Sequence, residues 1–318
     1  MASPRYYAVR LVQMVFTLLI IMTGIFFLFR LMPGSYADII VFSGASQETA
    51  QRLTEQWGLN DPLLTQYVSF MQNYLTLQPG ISFQTRQPVI DTVLPRIWNS
   101  FVLVAPAITI AYVVGSLVGT VAGANRGSKL DDWGMLPFVV VGTIPSFFTG
   151  ILLIVIFSVG LGWFPTSGTG TVGLVNPLDT TFYWHYALPF TAIFMRYLWY
   201  PSLVMRTSVV EVLGQPFIEY HRISGLPTQR VWRNVAKHAS LPVITLYPIS
   251  MIKALGGLVL VELVFNWPGI GFTLIEAVFN RDFPILQFVF VILAVYIVLA
   301  NFLVDILYSR IDPRVSLD

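Results

Sequence analysis

Ser100 to Ala124 reads SFVLVAPAITIAYVVGSLVGTVAGA, an apolar run with small residues and no charged side chain. The hydrocarbon core of a bilayer is about 30 Å thick, and about 20 apolar residues of helix cross it. The run has no period-two alternation, so it reads as a membrane-spanning helix rather than a barrel strand. Five further segments meet or approach the same length. They are Leu11 to Met32, Leu136 to Phe157 with an extension to Phe164, Ala187 to Met205, Leu241 to Phe265, and Pro284 to Val304. Pro189, Arg196 and Pro201 interrupt the fourth span in chain order, and Lys253 and Glu262 lie in the fifth.

Composition points the same way. Of 318 residues, 55% are hydrophobic and 11% charged, and the mean hydropathy is +0.71. A soluble domain carries about 25% charged residues, so lipid must cover much of this surface. The chain has no cysteine, which excludes a disulfide frame and thiolate metal sites. The apolar run Leu11 to Phe29 is longer than a signal-peptide core and no small-x-small cleavage site follows, so it reads as a retained helix.

Six crossings place both termini on one side, and Lys and Arg decide which. Arg5, Arg10, Arg126, Lys129, Arg206, Arg222, Arg230, Arg233, Lys237, Arg310 and Arg314 fall on the side of the termini. Arg52, Arg86, Arg96 and Arg281 fall opposite. Both termini are therefore expected in the cytoplasm. The chain divides into residues 1–32 (tail and first helix), 33–98 (an extracytoplasmic subdomain), 99–310 (the transmembrane core) and 311–318 (a tail). Within 33–98, helices are expected at Ser46 to Trp57, with Ser46 as its cap, and at Leu63 to Leu75.

Catalytic signatures are absent. The three lysines, Lys129, Lys237 and Lys253, never follow a glycine, so no GxxxxGK[ST] phosphate loop exists. His185, His221 and His238 are dispersed, no HExxH occurs, and no serine has a GxSxG context. No metal site is expected, and His185 reads as structural.

The cytoplasmic loop 207–241 contains Pro216-Phe-Ile-Glu-Tyr-His-Arg-Ile-Ser-Gly-Leu226. Pro216 to Ser224 reads as a short helix, and Gly225 stops it. A second amphipathic helix is expected from Thr228, after which Leu241-Pro242 leads into the fifth span. A short helix of this kind can offer a rigid knob to a partner's groove or rest on lipid headgroups.

Glu219-Tyr220-His221, followed three residues later by Gly225, resembles the EAA loop of ABC-importer permeases, with Tyr220 and His221 in place of two alanines and Ile223-Ser224 in place of Ala-Lys. The rest of the chain resembles the dipeptide/oligopeptide/nickel permeases of that group. The resemblance is carried by Phe29-Arg-Leu-Met-Pro-Gly34, Trp57-Gly-Leu-Asn-Asp-Pro62, Gly80-Ile-Ser82, Arg126-Gly-Ser-Lys-Leu-Asp131, Ile144-Pro-Ser-Phe147, Leu161-Gly-Trp-Phe-Pro165, Val261-Glu-Leu-Val-Phe-Asn-Trp-Pro-Gly-Ile-Gly271, Arg281-Asp-Phe-Pro284 and Asp312-Pro-Arg314. It implies a type I ABC-importer permease fold: an all-α membrane protein of six transmembrane helices. It also implies a place in a prokaryotic plasma (inner) membrane. The implied partners are a homologous second permease, two ABC ATPase subunits that bind ATP and Mg, an extracytoplasmic substrate-binding protein and the bilayer, with no nucleic acid. No cofactor is implied in this chain. By the same resemblance Phe217, Glu219, Tyr220, His221, Arg222, Gly225 and Leu226 form the ATPase-coupling loop. The cargo class it implies is dipeptides, oligopeptides, nickel chelates or oligosaccharides.

The buried charges admit more than one reading each. A charge at mid-membrane depth is expensive and faces protein or water. Arg196 and Lys253 either line a translocation cavity and attract substrate carboxylates, or pair with Asp305 or a partner subunit, or snorkel to the interface if the span bounds shift. Glu262 either lines the path or gate or fixes the following turn, with Arg281 as a candidate partner. Pro268-Gly269-Ile-Gly271 cannot comfortably continue a helix and is expected to turn or re-enter near a gate, or to serve as a plain connector. Gly115, Gly119 and Gly123 put small residues on one helix face, for packing within the chain or at a dimer seam. The competing function class is an ATP-independent six-helix transporter or channel.

Overall fold

The computed structural model describes residues 4–31, 46–56, 58, 60–170 and 175–311. Of the readings above, Met32 to Gly34, Trp57, Leu59 and Asp312 to Arg314 lie outside the described residues, and only the backbone of Arg222 and Arg310 is described. Apart from one antiparallel bridge between Ile81 and Pro88, the regular structure among these residues is helical.

The chain forms two compact units, residues 1–98 with 269–318, and residues 99–268. In the first, α1 (Pro4–Arg30) packs along α11 (Phe283–Ile311). Arg10 pairs with Asp305 at 3.3 Å, and the Tyr6 hydroxyl donates to the Asp305 carbonyl. Helices α2 (Gln47–Gln56) and α3 (Leu63–Leu75) stand where the sequence placed them. The α3 residues Tyr67 and Phe70 seat on α1, through a 2.8 Å Thr23–Tyr67 hydroxyl contact and the Phe26 ring. The loop after α3 is fastened by one carboxylate. Asp282, buried, accepts from the Ser82 hydroxyl and from the N–H groups of Phe83 (3.2 Å) and Gln84 (3.3 Å). Gly80-Ile-Ser82 and Arg281-Asp-Phe-Pro284 are thus two halves of one fastening. Helix α10 (Ile270–Phe279) packs on α11 within this unit.

Helix α4 (Val89–Ala124) begins in the first unit and continues through the second. The second unit adds α5 (Lys129–Thr143), α6 (Ser146–Leu153) with a π-helical continuation over Ile154–Gly160, α7 (Thr180–Leu213), α8 (Pro216–Ile223) and α9 (Thr228–Phe265). Asp179 caps α7, and its bonds from the Thr181 N–H and hydroxyl hold its carboxyl below the ordinary range.

Two expectations need correction. The segment Leu136 to Phe157 is not one straight helix. Its halves meet at 100° across Ile144-Pro145, where the residue before proline is extended (ψ 133°) and proline supplies no N–H. Nor does a new helix start at Leu241-Pro242. Helix α9 runs unbroken from Thr228 to Phe265 with Pro242 and Pro248 inside it, bending by 57° between Ala254 and Gly257. Among the described residues three helices, α1, α4 and α11, are long and apolar enough to cross a membrane, and five if each bent pair counts once. Leu11, Val12, Phe16 and Ile20 of α1 are exposed, as a lipid-facing stripe requires.

The glycine stripe of α4 packs inside the chain. A Cβ on Gly115 would come 2.7 Å from the Leu198 carbonyl oxygen, and one on Gly123 2.8 Å from that of Arg206. One on Gly119 would collide with the Ser202 carbonyl oxygen. Small residues let the α4 and α7 backbones touch. At the end of this seam Asp131, buried, takes a two-pronged ion pair from Arg206 at 2.5 and 2.6 Å. Gly119→Ala should therefore cost about 1–3 kcal/mol of stability through overpacking, read as a lowered unfolding temperature in detergent. Gly24→Ala, with nothing within 4 Å of the added carbon, should not lower it.

Candidate functional site

Three places hold the residues singled out by sequence. The first is α8. Pro216 starts it, where a missing N–H costs nothing, and Glu219 sits in the first turn, where the helix dipole favours an acid. Gly225, at φ 71°, stops it: the Leu226 N–H donates to the His221 carbonyl at 3.2 Å, the bond of a Schellman motif. One face is anchored. Ile218 is fully buried, the Phe217 ring lies 5.1 Å from that of His238, and Asn234 Nδ2 lies 3.4 Å from His221 Nδ1. The other face is open: Glu219, Tyr220 and Ile223 are exposed, Tyr220 at 69% and Ile223 at 79%. Of the two residues that replace alanines, His221 thus faces the protein and Tyr220 faces outward.

The second place is the end of α9. Asn266 adopts the left-handed conformation (φ 49°) and the Trp267 N–H returns to the Glu262 carbonyl at 2.8 Å, closing the helix. Glu262 is fully buried and its carboxylate accepts from the Ser100 hydroxyl at 2.5 Å. Arg281 belongs to the other unit. Asn99, which the sequence reading missed, joins three segments. Its amide donates to the Pro268 carbonyl (2.8 Å) and accepts from the Val175 N–H (2.9 Å), and its own carbonyl accepts from the Trp267 indole (3.0 Å). Its signal was a polar residue at the start of an otherwise apolar run. Pro268 ends this unit. Gly269 precedes α10 in an extended conformation, and Gly271 is buried within that helix.

The third place is a cavity of about 380 Å³ inside residues 99–268. Helix α7 contributes Arg196, Tyr197 and Tyr200, and α9 contributes Ser250, Lys253 and Leu258. Val104 of α4 and Ser146, the first residue of α6, complete much of the wall. The two mid-span cations, 57 positions apart in sequence (253 − 196), therefore converge on one space. Among the described residues no carboxylate lines it. Arg196 also rests 5.9 Å from the Tyr197 ring centre. Asp305, the pairing candidate, is bonded to Arg10.

Elsewhere, His185 Nδ1 lies 3.0 Å from the Ser167 carbonyl, consistent with a structural role. No cluster of three or more metal-ligating side chains occurs among the described residues.

Residues 112–317 match the family described as "Binding-protein-dependent transport system inner membrane component", and residues 4–104 match its companion N-terminal family. The chain is 31% identical to the oligopeptide transport system permease protein AppB of Bacillus subtilis, over 92% of both chains. It is 33% identical to a putative peptide transport system permease protein of Brucella abortus, over 97% of this chain and 98% of that one. It is 31% identical to the glutathione transport system permease protein GsiC of Pectobacterium atrosepticum, over 98% of both.

Replacing Asn99 with Ala removes both side-chain bonds that tie Val175 and Pro268 to α4. A loss of about 2 kcal/mol is expected, measurable as a lowered unfolding temperature, and Asn99→Asp should not recover it, because a carboxylate cannot donate to the Pro268 carbonyl.

Proposed function

Because this chain belongs to the binding-protein-dependent transport system inner membrane components, we propose that it imports peptides or related solutes and that α8 is its contact with the motor. The chain is the permease subunit of an ATP-driven importer, a multi-pass protein of the bacterial inner membrane. It is not itself catalytic and its family carries no cofactor; ATP is hydrolysed by partner subunits, and cargo arrives on a binding protein. Family membership sets aside an ATP-independent transporter.

Six crossings, with α7 as the fourth, leave both termini in the cytoplasm and residues 33–98 outside. A homologous permease completes the pore, and two ATPases bind below. The peptide cargo is supported by the names of the relatives at 31–33% identity. The cavity holding Arg196 and Lys253 belongs to the translocation path. Glu262 and Pro268, with Asn99, latch the outer end of α9, and Gly269 and Gly271 begin the return into α10.

The observation that carries the motor contact is the two-sidedness of α8. Phe217, Ile218 and His221 fix it to α9, while Glu219, Tyr220 and Ile223 remain open to a groove. Leu226 and Gly225 hold its stop, and Arg222 lies on the same short helix. A push on α8 therefore reaches α9 directly. Import requires a pore with two states that differ in their ATPase contacts, and α8 supplies a contact of that kind.

Tyr220→Ala with Ile223→Asp should reduce ATPase co-purification at least about ten-fold, as expected when an interface anchor is lost, with membrane insertion unchanged. Full retention of the ATPases by that variant would sink the docking assignment. Gly225→Pro cannot adopt φ 71° and should bring ATP-driven uptake to background at normal expression. Normal uptake would refute the role of this stop.

A further inference from the structure

We propose that the cavity of residues 99–268 is an anion-selective station, which holds a carboxylate of the cargo between Arg196 and Lys253 as it passes. This deepens the reading that the cavity belongs to the translocation path, and rests on it.

Four observations converge. First, on the six-crossing reading, Arg196 lies nine residues into the span from Ala187 and Lys253 twelve into the span from Leu241, near the middle of each. Charges at that depth cost several kcal/mol or more and face water, a cavity or a partner. Second, both reach the same space, from different helices, although like charges repel. Third, among the described residues no acidic side chain lines that space, and Asp305 is paired with Arg10. The cations therefore have no fixed counter-charge in the cavity wall. Fourth, Ser146 opens the second half of the broken α5–α6 span and also lines the cavity. The start of a half-helix carries a positive partial charge, and broken membrane helices use such ends at anionic groups.

The chemistry of the wall matches a carboxylate with an organic remainder. Arg196 supplies a planar fork of donors suited to two oxygens, and Lys253 supplies a mobile point charge. Tyr197, Tyr200, Leu258 and Val261 supply apolar and aromatic surface around them. A volume of about 380 Å³ accommodates a small solute or the end of a larger one. A transit site must bind weakly enough to release, and two solvated cations without a rigid cage of donors suit that requirement better than a closed pocket.

The absence of cysteine from the chain permits a direct test. Ile249 lines the cavity. Ile249→Cys, in the complex with the second permease and the ATPases, is treated with sulfonatoethyl and trimethylammonioethyl methanethiosulfonate. Labelling of the parent complex is subtracted, and each rate is divided by that of a free small thiol. The anionic reagent should react about ten-fold faster or more, as expected of a cleft lined by one sign of charge. Adding Arg196→Gln and Lys253→Gln should bring the ratio near one, and Arg196→Lys with Lys253→Arg should restore it. A ratio near one in Ile249→Cys alone, a ratio unmoved by the two glutamines, or a thiol unreactive with and without ATP overturns the proposal. A carboxylate of the second permease reaching between the two cations would produce the first of these.

Uptake of a dipeptide and of its C-terminal amide, with one binding protein throughout, supplies the transport readout. The acid-to-amide ratio should fall in the double glutamine variant, and an unchanged ratio counts against the station. If the unsubstituted importer takes up neither, the peptide cargo is wrong, and the thiol ratio alone decides the station.

Discussion

The contact of α4 with α7, backbone against backbone, sets the arrangement of residues 99–268. Gly115, Gly119 and Gly123 meet the carbonyls of Leu198, Ser202 and Arg206, each four residues further along α7. In lipid there is little hydrophobic drive for helices to associate, so close packing and polar contacts must do it. With that face of α7 committed, its opposite face, carrying Ile193, Arg196, Tyr197 and Tyr200, is left to line a cavity. The Asp131–Arg206 pair at the end of the same seam brings α5 to α7 as well. One stripe of glycines thus bears on both which helices adjoin and which side chains face the cavity.

Polar groups in this protein do two different kinds of work, and burial tells them apart. Asp131, Glu262 and Asp282 are fully buried carboxylates, each with hydrogen-bond donors supplied by its own unit. A buried charge without such donors would be costly, and with them it fixes one geometry. Arg196 and Lys253 are the reverse case: partly or largely exposed, on the wall of a cavity, without an acidic neighbour in it. The distinction between a fastening and a cavity-lining charge lies in satisfaction, not in residue type.

Much of this was legible in the sequence. Long uncharged runs announced the membrane helices because lipid admits little else, and the Gly225 stop was legible because only a few residues tolerate its backbone conformation. Leu63 to Leu75 appeared with the bounds read for it. The break at Ile144-Pro145 was hidden because the apolar run around it outweighs a single proline in a count of apolar residues. The convergence of Arg196 and Lys253 could be suspected from cost alone. Their sharing one cavity depends on helix rotation, which no local pattern encodes. Asn99, and the meeting of Ser82 with Asp282, were hidden because their partners lie far away in sequence, at positions 175, 267, 268 and 282. The glycine stripe told of close approach but not of its partner, which proved to be α7.

Helix α9 has a mechanical consequence. It is one bent helix of 38 residues, about 57 Å along its contour at 1.5 Å per residue, with its bend between Ala254 and Gly257. The arm from Thr228 to Ala254 has 27 residues and the arm from Gly257 to Phe265 has nine, a ratio of three. Turned about that elbow, the Thr228 end sweeps three times as far as the Phe265 end, trading distance for force like a lever with a short load arm. Lys253, Ala254, Gly257 and Leu258 stand at the fulcrum, where displacement is smallest.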